Sequence, residues 1–192
     1  MKHIHSIGTV LCLIAVTALI LLSGCAPKAL SPDQVAQEKE AIKNVIANYH
    51  KGYETKDHNV FKNLISSTAD FMFFGSDVAE VIKSSAEMDT QKEYDFQLFE
   101  SAKFGELQHL AIQVSSDGSL ASVVYQVPLE MRMGGQTSSS MFRLAFTFRK
   151  EDGAWKIVQG MAAFPSTGQS SAELVKQMRE KKAPETKKEG KK

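Results

Sequence analysis

Phe142-Arg143-Leu144-Ala145-Phe146-Thr147-Phe148-Arg149-Lys150-Glu151-Asp152-Gly153-Ala154-Trp155-Lys156-Ile157-Val158-Gln159 decides the fold. Phe142, Leu144, Phe146 and Phe148 take one face of an extended chain, while Met141, Arg143, Ala145 and Thr147 take the other. That two-residue period marks a strand with one apolar side. Asp152-Gly153 then supplies the positive φ of a tight hairpin, and a second run follows from Trp155. The same period governs everything after Phe104. Strands are expected at Leu107–Val114, Leu120–Met133, Gln136–Arg149 and Trp155–Phe164, separated by Ser116-Asp117-Gly118, Gly134-Gly135 and Glu151-Asp152-Gly153. The result is a four-strand antiparallel meander. Strands of ten or more residues twist, so the sheet curves.

Upstream the period is helical. From about Pro32 to Thr55, Val35, Ile42, Val45, Ile46, Tyr49 and Tyr53 share a face opposite Glu38, Lys39, Lys43, Asn44 and Lys51, which predicts a long amphipathic helix. Asp57 is placed to cap a second helix over His58–Ile65. Asp70–Gly75 reads as a short buried strand, and Val78–Ile82 as a small second one. A third helix opens at Ser84 or Ser85 and reaches about Phe99, with Met88, Tyr94, Phe96, Leu98 and Phe99 as candidate buried residues. A curved sheet preceded by three helices takes them into its concavity, giving an α+β half-cone. Ser170 and Glu173 have capping-box spacing for a short last helix.

The ends of the chain concern location. Lys2, His3 and His5 precede the apolar run Val10–Leu22, the pattern of a secretory leader. The run is shorter than the roughly 20 apolar residues a membrane span needs. Leu22-Ser23-Gly24-Cys25 resembles the bacterial lipobox, which implies cleavage before a lipid-carrying Cys25. Residues 1–24 are thus expected to be a lipoprotein signal peptide, and 25–33 the lipidated cysteine and its tether. Ala26 rather than Asp follows the cysteine, so in a diderm host the resemblance favours the periplasmic side of the outer membrane. Cys12 leaves with the leader, so the mature domain has no free thiol and no disulfide.

Net charge is +1 over 192 residues. Residues 25–178 carry 15 Lys/Arg against 19 Asp/Glu, whereas Arg179–Lys192 carry 7 against 3. That basic end has no large apolar residue and is expected to be unstructured. Without a basic stripe interleaved with aromatics, a nucleic-acid partner is not expected. The globular unit is expected at residues 34–165, with the short helix and basic tail at 166–192.

The order helix, helix, short strand, helix, meander resembles the nuclear transport factor 2-like superfamily, and more closely its SnoaL-like branch. Phe73-Phe74-Gly75-Ser76-Asp77-x-x-Glu80 is similar to that branch's turn after the first strand. Phe142-Arg143-Leu144 with Phe148-Arg149-Lys150-Glu151-Asp152-Gly153-Ala154-Trp155-Lys156-Ile157-Val158-Gln159 is similar to its closing hairpin. The resemblance implies a cavity in the half-cone and a superfamily that includes isomerases, dehydratases and cyclases. One departure bears on chemistry. After Trp-x-Ile-Val-x, members commonly place a cavity-facing His; here the chain reads Gly160-Met161-Ala162-Ala163.

Proton-transfer catalysis needs a positioned acid or base. His50, His58 and His109 show no metal-ligand spacing, and neither a phosphate loop nor a Gly-x-Ser-x-Gly elbow is present. No cofactor is called for. The expected pocket wall comprises Tyr49, Tyr53, Phe61, Phe74, Phe96, Phe99, Tyr125, Arg143, Gln159 and Met161. Arg143 is an anion anchor if its face turns inward, which alternation alone leaves open. These residues suit a small amphipathic or weakly anionic ligand, or a segment of an envelope protein. The expected role is a membrane-anchored, non-catalytic binding module of the cell envelope; the alternative is a small isomerase-, dehydratase- or hydrolase-type enzyme using the same cavity. Val124, Leu129, Met141 and Ala145 place apolar residues on a second sheet face, which implies a homodimer.

Overall fold

The computed structural model describes residues 29–182; the leader, Cys25 and residues 183–192 lie outside the described residues. Helix α1 spans Pro32–Thr55. Ser31 and Gln34 form a reciprocal capping box at its start, and Lys56 ends it in the left-handed conformation at φ 54°. Asp57 caps α2 (His58–Leu64) by accepting the Asn59 amide at 2.9 Å. Strands β1 (Met72–Phe74) and β2 (Val81–Ile82) follow, then α3 (Ser85–Leu98). The rest is sheet: β3 (Ser101–Phe104), β4 (Gln108–Val114), β5 (Leu120–Met133), β6 (Gln136–Glu151) and β7 (Ala154–Ala163), closed by α4 (Ser171–Lys182). None of the described helices is long and apolar enough to cross a membrane.

The seven strands form one curved, unclosed sheet in the order β2-β1-β7-β6-β5-β3, with β4 also paired to β5. Every pairing is antiparallel except β1 against β7, which is parallel and makes the sheet mixed. β3 is a strand that the sequence pattern did not announce. It occupies the edge of β5 at Leu129–Arg132, and β4 occupies the same edge at Ala121–Gln126. Pro128 sits at the junction, where its carbonyl accepts the Gly105 amide at 2.8 Å. A residue's N–H points the same way as its carbonyl in a strand, so the missing donor of proline falls where the ladder is already broken.

Alternation gives β5 and β6 one buried face. Val123, Tyr125, Val127 and Leu129 point inward with Phe142, Leu144, Phe146 and Phe148. Leu129 therefore belongs to the core, not to the second face expected for it. Asp152 (φ 49°) and Gly153 (φ 81°) form the β6–β7 hairpin, whose arms hold α1: Lys150 pairs with Glu38 at 2.5 Å, and the Trp155 indole N–H donates to Glu38 at 2.8 Å. Tyr49 of α1 lies fully buried against Phe146, with ring centroids 5.2 Å apart.

Three other expectations change. Tyr94 and Leu98 are exposed, because the buried stripe of α3 runs instead through Met88, Lys92 and Phe96. α4 continues through Arg179–Lys182, which composition assigned to an unstructured tail. Leu30, in the expected tether, is fixed to the domain by its backbone N–H, which donates to the Ser116 carbonyl at 2.7 Å.

Candidate functional site

Between the helices and the concave face of the sheet lies a cavity of about 290 Å³. Its apolar wall is drawn from all around the half-cone: Tyr49 of α1, Phe99 after α3, Phe104 of β3, Leu129 and Met131 of β5, Phe142 of β6, and Ala162 of β7. One end is polar. Tyr53, Lys92, Asp95, Gln91 and Glu80 meet there.

Lys92 is only 2 % exposed. Its ammonium pairs with Asp95 at 2.8 Å, donates to the Tyr53 hydroxyl, and sits 4.5 Å from the Tyr53 ring centroid. Tyr53 donates to Asp95 at 3.1 Å, and Gln91 donates to Asp95 at 2.9 Å and to Glu80 at 3.2 Å. Asp95 thus accepts three hydrogen bonds. Glu80 reaches this group because the chain turns sharply at Gly75, whose amide donates to the Glu80 carbonyl at 2.8 Å. A Cβ on Gly75 would lie 2.0 Å from Glu80 Oε2, so a side chain at that position would displace the carboxylate. Burial lowers the Lys92 pKa from the ordinary lysine value, opposed by Asp95 and Glu80. Burial raises that of Tyr53.

Of the residues expected in the pocket, Tyr49, Tyr53 and Phe99 line the cavity. Phe61 and Phe96 are buried behind it, packed on Tyr53 and on each other. Tyr125 is also buried, hydrogen-bonded to His50 Nε2 at 2.9 Å, while His50 stacks on Phe104 at 4.1 Å. The other four lie on the outer, convex face. Arg143 alternates with the inward Phe142 and Leu144 and bonds Gln126 at 3.4 Å, so it is no anion anchor for the cavity. Phe74 alternates with the inward Phe73. Gln159 and Met161 are turned out by a bulge: Thr147 pairs with Gln159 but Phe148 pairs with Ile157. The extra residue, Val158, reverses the alternation. Ala162 rather than Met161 therefore faces the cavity.

Gln91, Lys92 and Asp95 of this polar end are not among the expected pocket residues, because Gln, Lys and Asp are types that ordinarily face water on a helix. A signal was present. Met88, Lys92 and Phe96 recur every four residues, which places Lys92 on the same stripe as two buried apolar residues. Among the described residues no cluster of His, Cys, Asp and Glu is placed to hold a metal ion.

A half-open cone of this topology, with its cavity between sheet and helices, defines the nuclear transport factor 2-like fold. A model of the SnoaL-like domain matches residues 42–167, and the chain belongs to that family. No curated protein matches the chain. Solved structures of similar architecture include a nuclear transport factor 2-like superfamily protein from Salmonella enterica, 19 % identical, covering 71 % of this chain and 97 % of its own at a TM-score of 0.61. A protein from Novosphingobium aromaticivorans, proposed to be a scytalone dehydratase, is 14 % identical, with coverage of 71 % and 89 % and a TM-score of 0.62. A hexachlorocyclohexane dehydrochlorinase is 12 % identical, with coverage of 70 % and 88 % and a TM-score of 0.59. At these identities the likeness concerns the fold.

His50 provides a pH test of the packing. Burial pushes its pKa down from 6.5 to about 4, so between those values the unfolded chain binds more protons than the folded one. Stability is then lost as pH falls through 6.5. Between pH 7 and pH 5 the wild type should lose about 2 kcal/mol more than His50→Gln in denaturant titrations. Equal losses would show that the imidazole is not held neutral against Tyr125.

Proposed function

We propose that this chain is a lipid-anchored binding module whose cavity holds a small amphipathic molecule without transforming it. One observation carries the reading: the cavity is apolar except at one end, and the polar groups there are already bonded to one another. Asp95 accepts from Tyr53, Lys92 and Gln91, and Glu80 accepts from Gln91 and the Asp77 amide. Each carboxylate is thereby held in a fixed position by two or three donors, the arrangement of a group that orients a bound molecule. An apolar pocket with a few fixed polar groups suits retention and orientation. The charged groups of the wall are Lys92, Asp95 and Glu80, a net of −1, so the head group that fits is neutral or cationic rather than anionic.

A dehydratase- or isomerase-type reaction has one observation in its favour. Lys92 is a buried amine of lowered pKa in a cavity wall, and such amines serve as bases and nucleophiles elsewhere. Two of the similar folds also bear a dehydratase or dehydrochlorinase name.

The readings separate in a binding assay. 1-Aminoanthracene, a neutral fluorescent amine, should brighten on binding the protein, and anilinonaphthalene sulfonate should bind more weakly. Ala162→Phe, which fills the cavity, should weaken 1-aminoanthracene at least tenfold, and Met131→Trp should do the same from the opposite wall. Unchanged affinity in both variants would place binding elsewhere. Turnover of a bound compound that Lys92→Met removes while binding survives would favour the enzyme.

Anchoring rests on Leu22-Ser23-Gly24-Cys25. The wild type expressed in a bacterial envelope should partition into detergent, and Cys25→Ser should leave an aqueous or unprocessed form. Unchanged partitioning would end this part of the proposal.

We also propose a homodimer through the convex face. Strand register aligns Val81, Phe74, Met161, Ala145, Val124 and Ala111 in one row across six strands. At about 4.8 Å per strand the row is about 24 Å long, and its four larger side chains are 41–52 % exposed. Polar residues Gln159, Thr147, Ser122 and Gln113 border one side; Arg143, Gln126 and Gln108 border the other. A self-complementary row with a polar rim suits a two-fold contact. Sedimentation equilibrium at micromolar concentration should give a dimer for the wild type and a monomer for Val124→Lys/Met161→Lys. A monomeric wild type would refute it.

A further inference from the structure

Helix α4 is a separate feature with its own chemistry. Ser170 caps it, its hydroxyl accepting the Glu173 amide at 3.2 Å. Its three large apolar side chains, Leu174, Val175 and Met178, are 44–58 % exposed, so the domain does not cover them. At 100° per residue these three share one face. Arg179 and Lys181 flank that face on its two sides, and both acidic residues, Glu173 and Glu180, fall on the opposite side. Lys176 reaches Glu180 at 4.0 Å on that far side, leaving Arg179 and Lys181 beside the apolar strip. The sequence beyond the helix, Ala183–Lys192, adds four lysines against two glutamates.

We infer that α4 is a membrane-surface helix, which lies in the headgroup layer of an anionic bilayer with Leu174, Val175 and Met178 dipped toward the acyl chains. Twelve residues make a helix about 18 Å long, and three side chains are too few for the roughly 800 Å² per partner of a stable protein interface. A bilayer makes no such demand. It rewards shallow apolar insertion combined with cations at phosphate level, and acidic groups turned to water. The charge around α4 follows that requirement for Arg179, Lys181, Glu173 and Glu180, while Lys182, in the last turn, falls on the strip itself, where its long side chain reaches up to phosphate level. It gives the chain a second contact with the membrane that does not depend on lipid at Cys25, and it is the kind of supplementary signal that makes lipid anchoring durable.

The test places an environment-sensitive probe on each side of the helix. In the full chain carrying Cys12→Ser and Cys25→Ser, the only thiol is one introduced by Met178→Cys or by Glu180→Cys, and it is labelled with nitrobenzoxadiazole. Vesicles of phosphatidylglycerol and phosphatidylcholine at 3:7 should raise the emission at position 178 at least threefold with a blue shift, leaving position 180 at its aqueous value. Phosphatidylcholine alone should bind at least tenfold more weakly, as should the anionic vesicles after Arg179→Glu/Lys181→Glu. Insertion of the leader brings both positions near the bilayer, so the contrast between them isolates α4. Equal responses at 178 and 180, or equal binding to neutral vesicles, would overturn the inference. So would a probe at 178 that is already blue-shifted without lipid, which would assign the strip to a protein contact.

Discussion

The curvature of the β5–β6 pair is the constraint on which everything else depends. Fourteen-residue β5 and sixteen-residue β6 are in register along nearly their whole length, from Leu120↔Arg149 to Met133↔Gln136. Such long paired strands coil, and their apolar face becomes the inside of a cone. That face must be covered, and α1 covers it. Glu38 fixes one end of the helix to Lys150 and Trp155, and Tyr49 wedges against Phe146 further along. The cavity lies beyond that contact, between Tyr49 and Tyr53 of α1 and the strand ends at Met131, Phe142 and Ala162.

At the polar end of the cavity the structure holds a buried charge in place. A lysine as enclosed as Lys92 is tolerable only with a partner, and losing the partner of a buried ion costs on the order of 3–5 kcal/mol. Asp95 supplies the opposite charge, one turn along α3, and Tyr53 from α1 bridges the two. Gln91 carries the network on to Glu80 and so to the turn at Gly75. The turn motif after β1 is thereby joined to the cavity, so its glycine and its glutamate act together. In the proposed function this network serves to orient a ligand.

Most of the fold was legible because it follows from period and punctuation. The helices at Pro32–Thr55 and His58–Leu64, the long strands and the three glycine turns of the meander rest on local patterns that the tertiary structure did not override. β3 escaped notice because four residues after a helix are too short to show a period; pairing with Leu129–Arg132 makes them a strand. The site was far less legible. A single bulged residue, Val158, reversed the alternation and turned Gln159 and Met161 outward, and the inward parity of β6 turned Arg143 out with Ala145. The polar end of the cavity is built from residue types whose usual place is the surface. Only the four-residue spacing of Met88, Lys92 and Phe96 betrays it.

The charge state of Lys92 is the central physical claim, since a paired ammonium orients a ligand whereas a free amine at neutral pH is a base or nucleophile. The carbon-13 shift of Lys92 Cε, followed by NMR from pH 5 to pH 10, reads that state directly. The account predicts that the Asp95 pair keeps Lys92 a charged ammonium at pH 7, that it releases its proton earlier than an ordinary lysine, and that it does so earlier still in Asp95→Asn. A neutral amine at pH 7 in the wild type would contradict it.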